Sequence, residues 1–235
     1  MLSEIRKISS LLLSVAFSSI GFIASITVTV LAAREVSSNP LFVGFPNAVG
    51  VGGAVLGTRM IYLISKNNSQ LNALAFTFLI GAFGGAIMFY SLIVDSFVLL
   101  LFGAFILGIG QSATLQTRYA ASFVASEKFK ATALSLAVWF SVFGSVFGPR
   151  MVGSYSNFFE NIFNSELIVG YVIALVGMLF AASSLFIFTS KKSILRSPSN
   201  LESESNNQNS NKKNGNLLSL LLVLNHFTMV VIMSA

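Results

Sequence analysis

Seven stretches of this chain run for at least nineteen residues without a charged side chain, and no other feature constrains the fold as strongly. They are Ile8 to Ala33, Val36 to Thr58, Asn67 to Val94, Ser96 to Thr117, Ala131 to Pro149, Leu167 to Ser190 and Asn214 to Ala235. A helix needs about 20 residues to cross a hydrocarbon core of about 30 Å. Backbone groups in lipid must be satisfied within the span, and a barrel would show short alternating strands instead of continuous apolar runs. The expected fold is therefore all-α and integral to a membrane: a six-helix transmembrane bundle followed by a seventh transmembrane helix. With 54% hydrophobic and 9% charged residues, the chain has too little charge to cover a soluble surface.

The first run follows Arg6 and Lys7 as a secretory signal would. Its 26 uncharged residues exceed the usual apolar core of such signals, about 7 to 15 residues, and no Ala-x-Ala site follows, so it reads as a membrane helix. Cysteine is absent, which removes disulfides and thiolate metal or redox sites from consideration. The net charge of +6 matters less than its placement. With the amino terminus in the cytoplasm, the inner side receives Arg6, Lys7, Lys66, Lys128, Lys130, Lys191, Lys192, Arg196, Lys212 and Lys213. The outer side receives Arg34 and Arg150 with the acids Glu35, Asp95, Glu160 and Glu166. The bias of basic residues toward the cytoplasm predicts a multi-pass protein of the cell (inner or plasma) membrane with a cytoplasmic amino terminus. It also accounts for the positive charge without a nucleic-acid partner.

Along the chain, residues 1–190 read as a six-helix transmembrane domain and 191–216 as a polar cytoplasmic linker with little to bury. Residues 217–235 read as the first helix of a second domain. The expectation is a larger protein whose carboxy-terminal half is missing here. No internal repeat is evident in the sequence, although transporters hide three-helix repeats that only structure reveals.

Two polar stripes stand out at helical spacing. In the first helix Ser14, Ser18, Gly21, Ser25 and Thr29 share one face. Small residues there serve close helix packing, or the face lines a water-filled path; Ser18 and Ser25 are path candidates on the second reading. In the fourth helix Gly103, Gly110, Gln111, Thr114 and Arg118 fall on one side. A charge inside a span tends to face a cavity or a partner, so Arg118, with Gln111 and Thr114, is the leading candidate for the solute path. Snorkelling to the inner surface is its rival. Arg59, near the inner end of the second helix, is a gating candidate with the same rival. In the seventh run Asn225 and His226 stand together, where a histidine can relay protons near neutral pH or serve a structural role.

Other chemistries lack parts. One histidine, no cysteine and acids confined outside the apolar runs assemble neither a metal cluster nor a nucleophile triad, so no enzyme and no cofactor is expected. Gly50, Gly52, Gly53 and Gly57 lie in a membrane run without a surrounding βαβ unit, which argues against a dinucleotide loop.

The fifth run ends in Gly144-Ser-Val-Phe-Gly148-Pro149-Arg-Met-Val-Gly153, which resembles the G-x-x-x-G-P-x-x-G-G signature of antiporters and drug exporters of the major facilitator superfamily. Val152 replaces the penultimate glycine. Gly108-Ile-Gly-Gln-Ser-Ala-Thr-Leu-Gln-Thr-Arg-Tyr-Ala-Ala and Ala133-Leu-Ser-Leu-Ala-Val-Trp also look like bacterial members. The resemblance implies twelve helices in two halves, each of two three-helix repeats, with helices one, four and seven lining the cavity. It assigns Gly144, Gly148, Pro149 and Gly153 a structural role. The loop after the second helix keeps little of the family's G-x-L-A-D-R-x-G-R-R pattern: Ser65 stands where the acid belongs. Ala104 occupies the place of the arginine found in many proton-coupled members, and Arg118 is not its equivalent.

The expected function is secondary active transport of a small solute by alternating access, as ion-coupled efflux. The partners implied are the solute, a coupling ion, the bilayer and the other half of the protein. An uptake carrier and a non-transporting sensor or assembly subunit are the alternatives.

Overall fold

The computed structural model describes residues 2–37, 42–67, 69–126, 129–163 and 165–188. Among them are six helices and no strand: α1 (Leu2–Val36), α2 (Phe45–Asn67), α3 (Gln70–Ile93), α4 (Phe97–Val124), α5 (Lys130–Phe163) and α6 (Ile168–Phe188). All six are long and apolar enough to cross a membrane. The expected 191–216 linker and the 217–235 helix, with Asn225 and His226, lie outside the described residues.

Two helices depart most from the runs that announced them. The second run spans 36–58, whereas α2 spans 45–67. The fifth spans 131–149, whereas α5 continues to Phe163. Arg59 and Arg150 end those runs because they are charged, yet both are exposed on the helix surface, where a charge does not interrupt backbone hydrogen bonding. Pro149 lies inside α5 and removes one donor without ending the helix. At the other end of α2, Pro46 occupies the first turn, where its missing N–H is an orphan in any case.

A tight reversal joins α3 to α4. Val94 N–H donates to Tyr90 O at 3.2 Å and Ser96 N–H to Ser91 O at 3.0 Å. Asp95 between them takes φ 50°, a left-handed conformation that aspartate tolerates better than most residues. Ser96 then caps α4, accepting from Leu99 N–H at 3.5 Å. Such short connections reverse the chain at each crossing, so α1, α3 and α5 run one way and α2, α4 and α6 the other.

The helices do not pack equally. α1 lies principally against α5 and α6; α4 lies principally against α2 and α3; α3 and α6 meet, as do α1 and α4. In α2 and α5 only 22% and 28% of the apolar stretch is buried, against at least half in the other four, so these two flank the bundle. Lipid tails are as apolar as leucine, so helix association rests on close contact, and small residues permit it. Gly81 of α3 and Gly110 of α4 face each other so closely that a methyl built on Gly110 would stand 2.5 Å from Gly81 Cα.

Several buried hydroxyls are satisfied locally. Thr77, Ser91, Ser112 and Thr117 each donate to a carbonyl three or four residues back in their own helix at 2.6 to 2.8 Å. That habit keeps polar groups tolerable in an apolar interior without consuming neighbours.

Candidate solute path and its helix seats

The α1 stripe is a packing surface. Ser14, Ser18, Ser25 and Thr29 are all at most 3% exposed. Their hydroxyls turn back onto α1, to Leu11 O (2.8 Å), Val15 O (3.2 Å), Phe22 O (2.7 Å) and Ser25 O (2.6 Å). Gly21 lies against α6, where an added methyl would stand 3.1 Å from the backbone of Ala174. Tyr171 of α6, fully buried, donates through its hydroxyl to Thr29 Oγ1 at 3.4 Å. Of the two sequence readings of this face, close packing is the one that describes Ser18 and Ser25 in this structure.

The α4 stripe is different in kind. Its small end packs on α3, Gly103 beside Met88 and Gly110 beside Gly81. Its polar end is less settled. Thr114 is 3% exposed, and its hydroxyl has no hydrogen-bond partner. One turn further on, Arg118 is half-buried with its Nε sealed and unpartnered. Gln111, one turn before Thr114, is partly exposed. Only Nε is closed off and unpartnered, while the residue as a whole keeps partial exposure. Among the described residues no acid stands in ion-pairing range of Arg118, and none supplies the missing acceptor. The structure therefore brings Gln111, Thr114 and Arg118 onto one face and leaves two of them short of partners. Two surface hollows lie elsewhere, one of ≈ 200 Å³ along Trp139, Val142, Phe143, Val146 and Phe147 of α5, and one of ≈ 360 Å³ among Ile64, Asn72, Phe76 and Phe186.

Gly144 and Gly148 of α5 both seat on α1. A methyl on Gly144 would stand 2.6 Å from Ser19 Cβ, and one on Gly148 would stand 3.0 Å from Ala24 N and 3.1 Å from Ile20 O. Gly153 has nothing within 4 Å. Pro149 and Arg150 are exposed. The tight side of this segment thus faces into its own bundle. Arg59 is exposed on α2, eight residues before Asn67, and has no ion-pair partner among the described residues. No cluster of three or more metal-ligating side chains occurs among the described residues.

One relation escaped the sequence reading. Gly53-Ala-Val55-Leu-Gly57-Thr58-Arg59-Met60 in α2 and Gly144-Ser-Val146-Phe-Gly148-Pro149-Arg150-Met151 in α5 are identical at five of eight positions, 91 residues apart. Their seats correspond as well. Gly57 rests on Ile109 and Ser112 of α4, and Gly148 rests on Ile20, Ile23 and Ala24 of α1. A shift of 89 residues carries Ile20 to Ile109, Ile23 to Ser112, Gly21 to Gly110, Ser25 to Thr114 and Thr29 to Arg118. The signal was a G-x-V-x-G-x-R-M pattern occurring twice; glycine and valine are common in membrane helices, so only the matched seats single it out.

Comparison with known proteins adds two relatives from Bacillus subtilis (strain 168). The uncharacterized MFS-type transporter YdeG is 30% identical over 175 residues, covering 74% of this chain and 41% of its own length. The uncharacterized MFS-type transporter YddS is 30% identical over 183 residues, covering 78% of this chain and 42% of its own. The resemblance to the major facilitator superfamily read from the α4 and α5 segments is borne out over about three quarters of the chain. The chain spans about two fifths of the length of these relatives. No family model matches it, and no solved structure does.

Proposed function

We propose that this chain is part of a major facilitator superfamily transporter and moves a small solute across the cell membrane by alternating access. The observation that supports this best is the coincidence of a bundle of six membrane-capable helices with 30% identity to MFS-type transporters over most of the chain. In this reading α1–α3 and α4–α6 are two three-helix repeats, which the matched seats of α2 and α5 favour. A second helical domain, beginning with residues 217–235 after a cytoplasmic 191–216 linker, covers the exposed faces of α2 and α5, and the solute site lies between the two domains. The amino terminus is cytoplasmic in this reading, which the placement of the basic residues supports.

Arg118 is the electrostatic element of the path. A cation in a low-dielectric span is costly when unpaired, so an anionic group of the solute, or a carboxylate of the second domain, completes it. Gln111 and Thr114 contribute adjacent hydrogen-bonding groups. The Gly144 to Gly153 segment favours ion-coupled efflux over uptake, by its resemblance to exporters. The full-length protein in liposomes is expected to move solute across a panel of candidate metabolites and drugs under an imposed ion gradient. Uniform inertness, together with a stoichiometric copurifying membrane partner, would instead mark it as an assembly or sensor subunit.

A further inference from the structure

The buried threonines of the bundle share a habit that one of them breaks. Thr29, Thr77 and Thr117 each donate to the carbonyl four residues back, at 2.6 to 2.8 Å. Thr114 is as buried as Thr29, yet its hydroxyl has no partner. One turn later in the same helix, Arg118 Nε is closed off and unpartnered as well. Residues four apart on a helix stand about 5 to 6 Å from each other at Cβ, and long helical side chains lean toward the helix N-terminus. Arg118 therefore reaches back over Thr114, and the two unmet groups belong to one spot on α4. Thr114 stands ten residues, or about 15 Å of helix, before the end of α4, near the middle of a core about 30 Å thick. Ser19 Oγ is also unpartnered, but it lies against Gly144 of α5, and no charged residue stands within four positions of it.

We propose that Thr114 and Arg118 form a subsite for the carboxylate of a singly charged organic acid, and that such acids are the class of solute carried. This rests on the transport reading above and narrows it. The sign of the charge follows from where the ionisable groups stand. Acids in the described helices lie only near the ends, Glu4 and Glu35 in α1 and Glu160 in α5, while Asp95 and Glu166 lie in connections. An amine would meet no carboxylate in the interior of a described helix; a carboxylate meets Arg118. The size of the charge follows from the same inventory. Arg118 is the one charged residue of α4, and one cation in a low-dielectric span balances one negative charge. A dianion would carry an unmet charge inward.

The donors suit a carboxylate. A guanidinium presents its N–H groups as a fork that matches the two carboxylate oxygens, through short, charge-assisted hydrogen bonds. Each oxygen keeps a further lone pair, which leaves one for the Thr114 hydroxyl. Gln111 and Arg118 are part-exposed whereas Thr114 is not, so the acid meets the rim of the spot first and reaches Thr114 as the neighbours of α4 part.

The test is the thermal midpoint of the full-length protein in detergent, at constant ionic strength, with acetate, butyrate, hexanoate or benzoate added. Butylamine, succinate and inorganic phosphate are the contrasting probes. At least one monocarboxylate is expected to raise the midpoint in a saturating manner, and the contrasting probes are not. Arg118→Gln is expected to abolish the response. Thr114→Val should weaken the apparent affinity about tenfold, as loss of one hydrogen bond to a charged group does, and Thr114→Ser should keep it. Thr114→Val retains the shape of the side chain, so a folded variant remains even where Arg118→Gln is poorly produced. A parent unmoved by every monocarboxylate, as a protein carboxylate already paired with Arg118 predicts, would overturn the proposal. So would an equal response to butylamine or phosphate, or an undiminished response in either Arg118→Gln or Thr114→Val. A response that needs both residues, in a protein that moves no monocarboxylate into liposomes, would keep the subsite and remove the transport reading. Solute flux untouched by monocarboxylates would do the reverse.

Discussion

α2 and α5 bear nearly the same eight residues on nearly the same seat, yet the position after the second glycine is Thr58 in one and Pro149 in the other. Thr58 donates its hydroxyl to Ala54 O at 3.0 Å and keeps the helix intact. Pro149 withdraws a donor and leaves the carbonyl four residues earlier without its usual partner. A second pair of equivalents diverges more. Thr29 of α1 is buried and held by Tyr171, whereas Arg118 of α4 is half-buried and short of a partner. Where the two sets of three helices agree, they agree on glycine seats that hold helices together. At these two positions, a satisfied group in one set is replaced in the other by a group with something left to bond.

The largest effect is expected at the seats. Gly57→Leu would drive a side chain into the Ile109 backbone, where even a methyl would stand 2.7 Å from the carbonyl oxygen. The cost should exceed about 4 kcal/mol, in the range of gross core violations, and folded protein recovered from membranes in mild detergent should fall to near nothing. Gly148→Leu should be milder, because its nearest neighbours begin at 3.0 Å. Equal losses at both would mean the two seats are not ranked by clearance.

Exchanging the residues that distinguish α2 from α5 comes next. Thr58→Pro removes a donor from a helix that now has it, and about 3 kcal/mol of stability should go with it. Pro149→Thr restores one and should raise the thermal midpoint of the detergent-solubilised protein while slowing solute flux. A Pro149→Thr variant that is both less stable and fully active would deny the proline any working role.

Smaller still is the hydroxyl pair between α1 and α6. Tyr171→Phe should cost about 1 kcal/mol, a net hydrogen bond, since the aromatic body remains packed. Flux per folded molecule should be unchanged. At the foot of the scale, Gly52→Ala and Gly153→Ala place a methyl that meets nothing within this bundle and should leave the abundance of folded protein unaltered.

How much of this was legible beforehand follows from what each residue reports. Continuous apolar runs announce a membrane helix because lipid demands internal backbone bonding, and six of the seven runs correspond to described helices. The runs stop at Arg59 and Arg150, because a run ends at a charge and a helix does not; Arg59 was still expected inside the second helix, where it lies. The polar stripes were visible from helical spacing. Their meaning was not, since whether Ser25 faces a path or a neighbour depends on α6, more than a hundred residues away in the chain. Tyr171 gave no sign as the partner of Thr29 for the same reason. The twin segments of α2 and α5 needed the seats of Gly57 and Gly148 to be seen together.

The central claim is that Arg118 carries out work in α4 that Thr29 does not in α1. It is tested most directly by solute flux per folded molecule, in full-length protein reconstituted at equal abundance, for Arg118→Gln, Arg118→Lys and Thr29→Val. The account predicts that Thr29→Val transports as the parent does, that Arg118→Gln is inactive, and that Arg118→Lys keeps part of the activity if charge alone suffices. Parental flux from Arg118→Gln would contradict it, and would reduce Arg118 to a cation resting at the end of a helix.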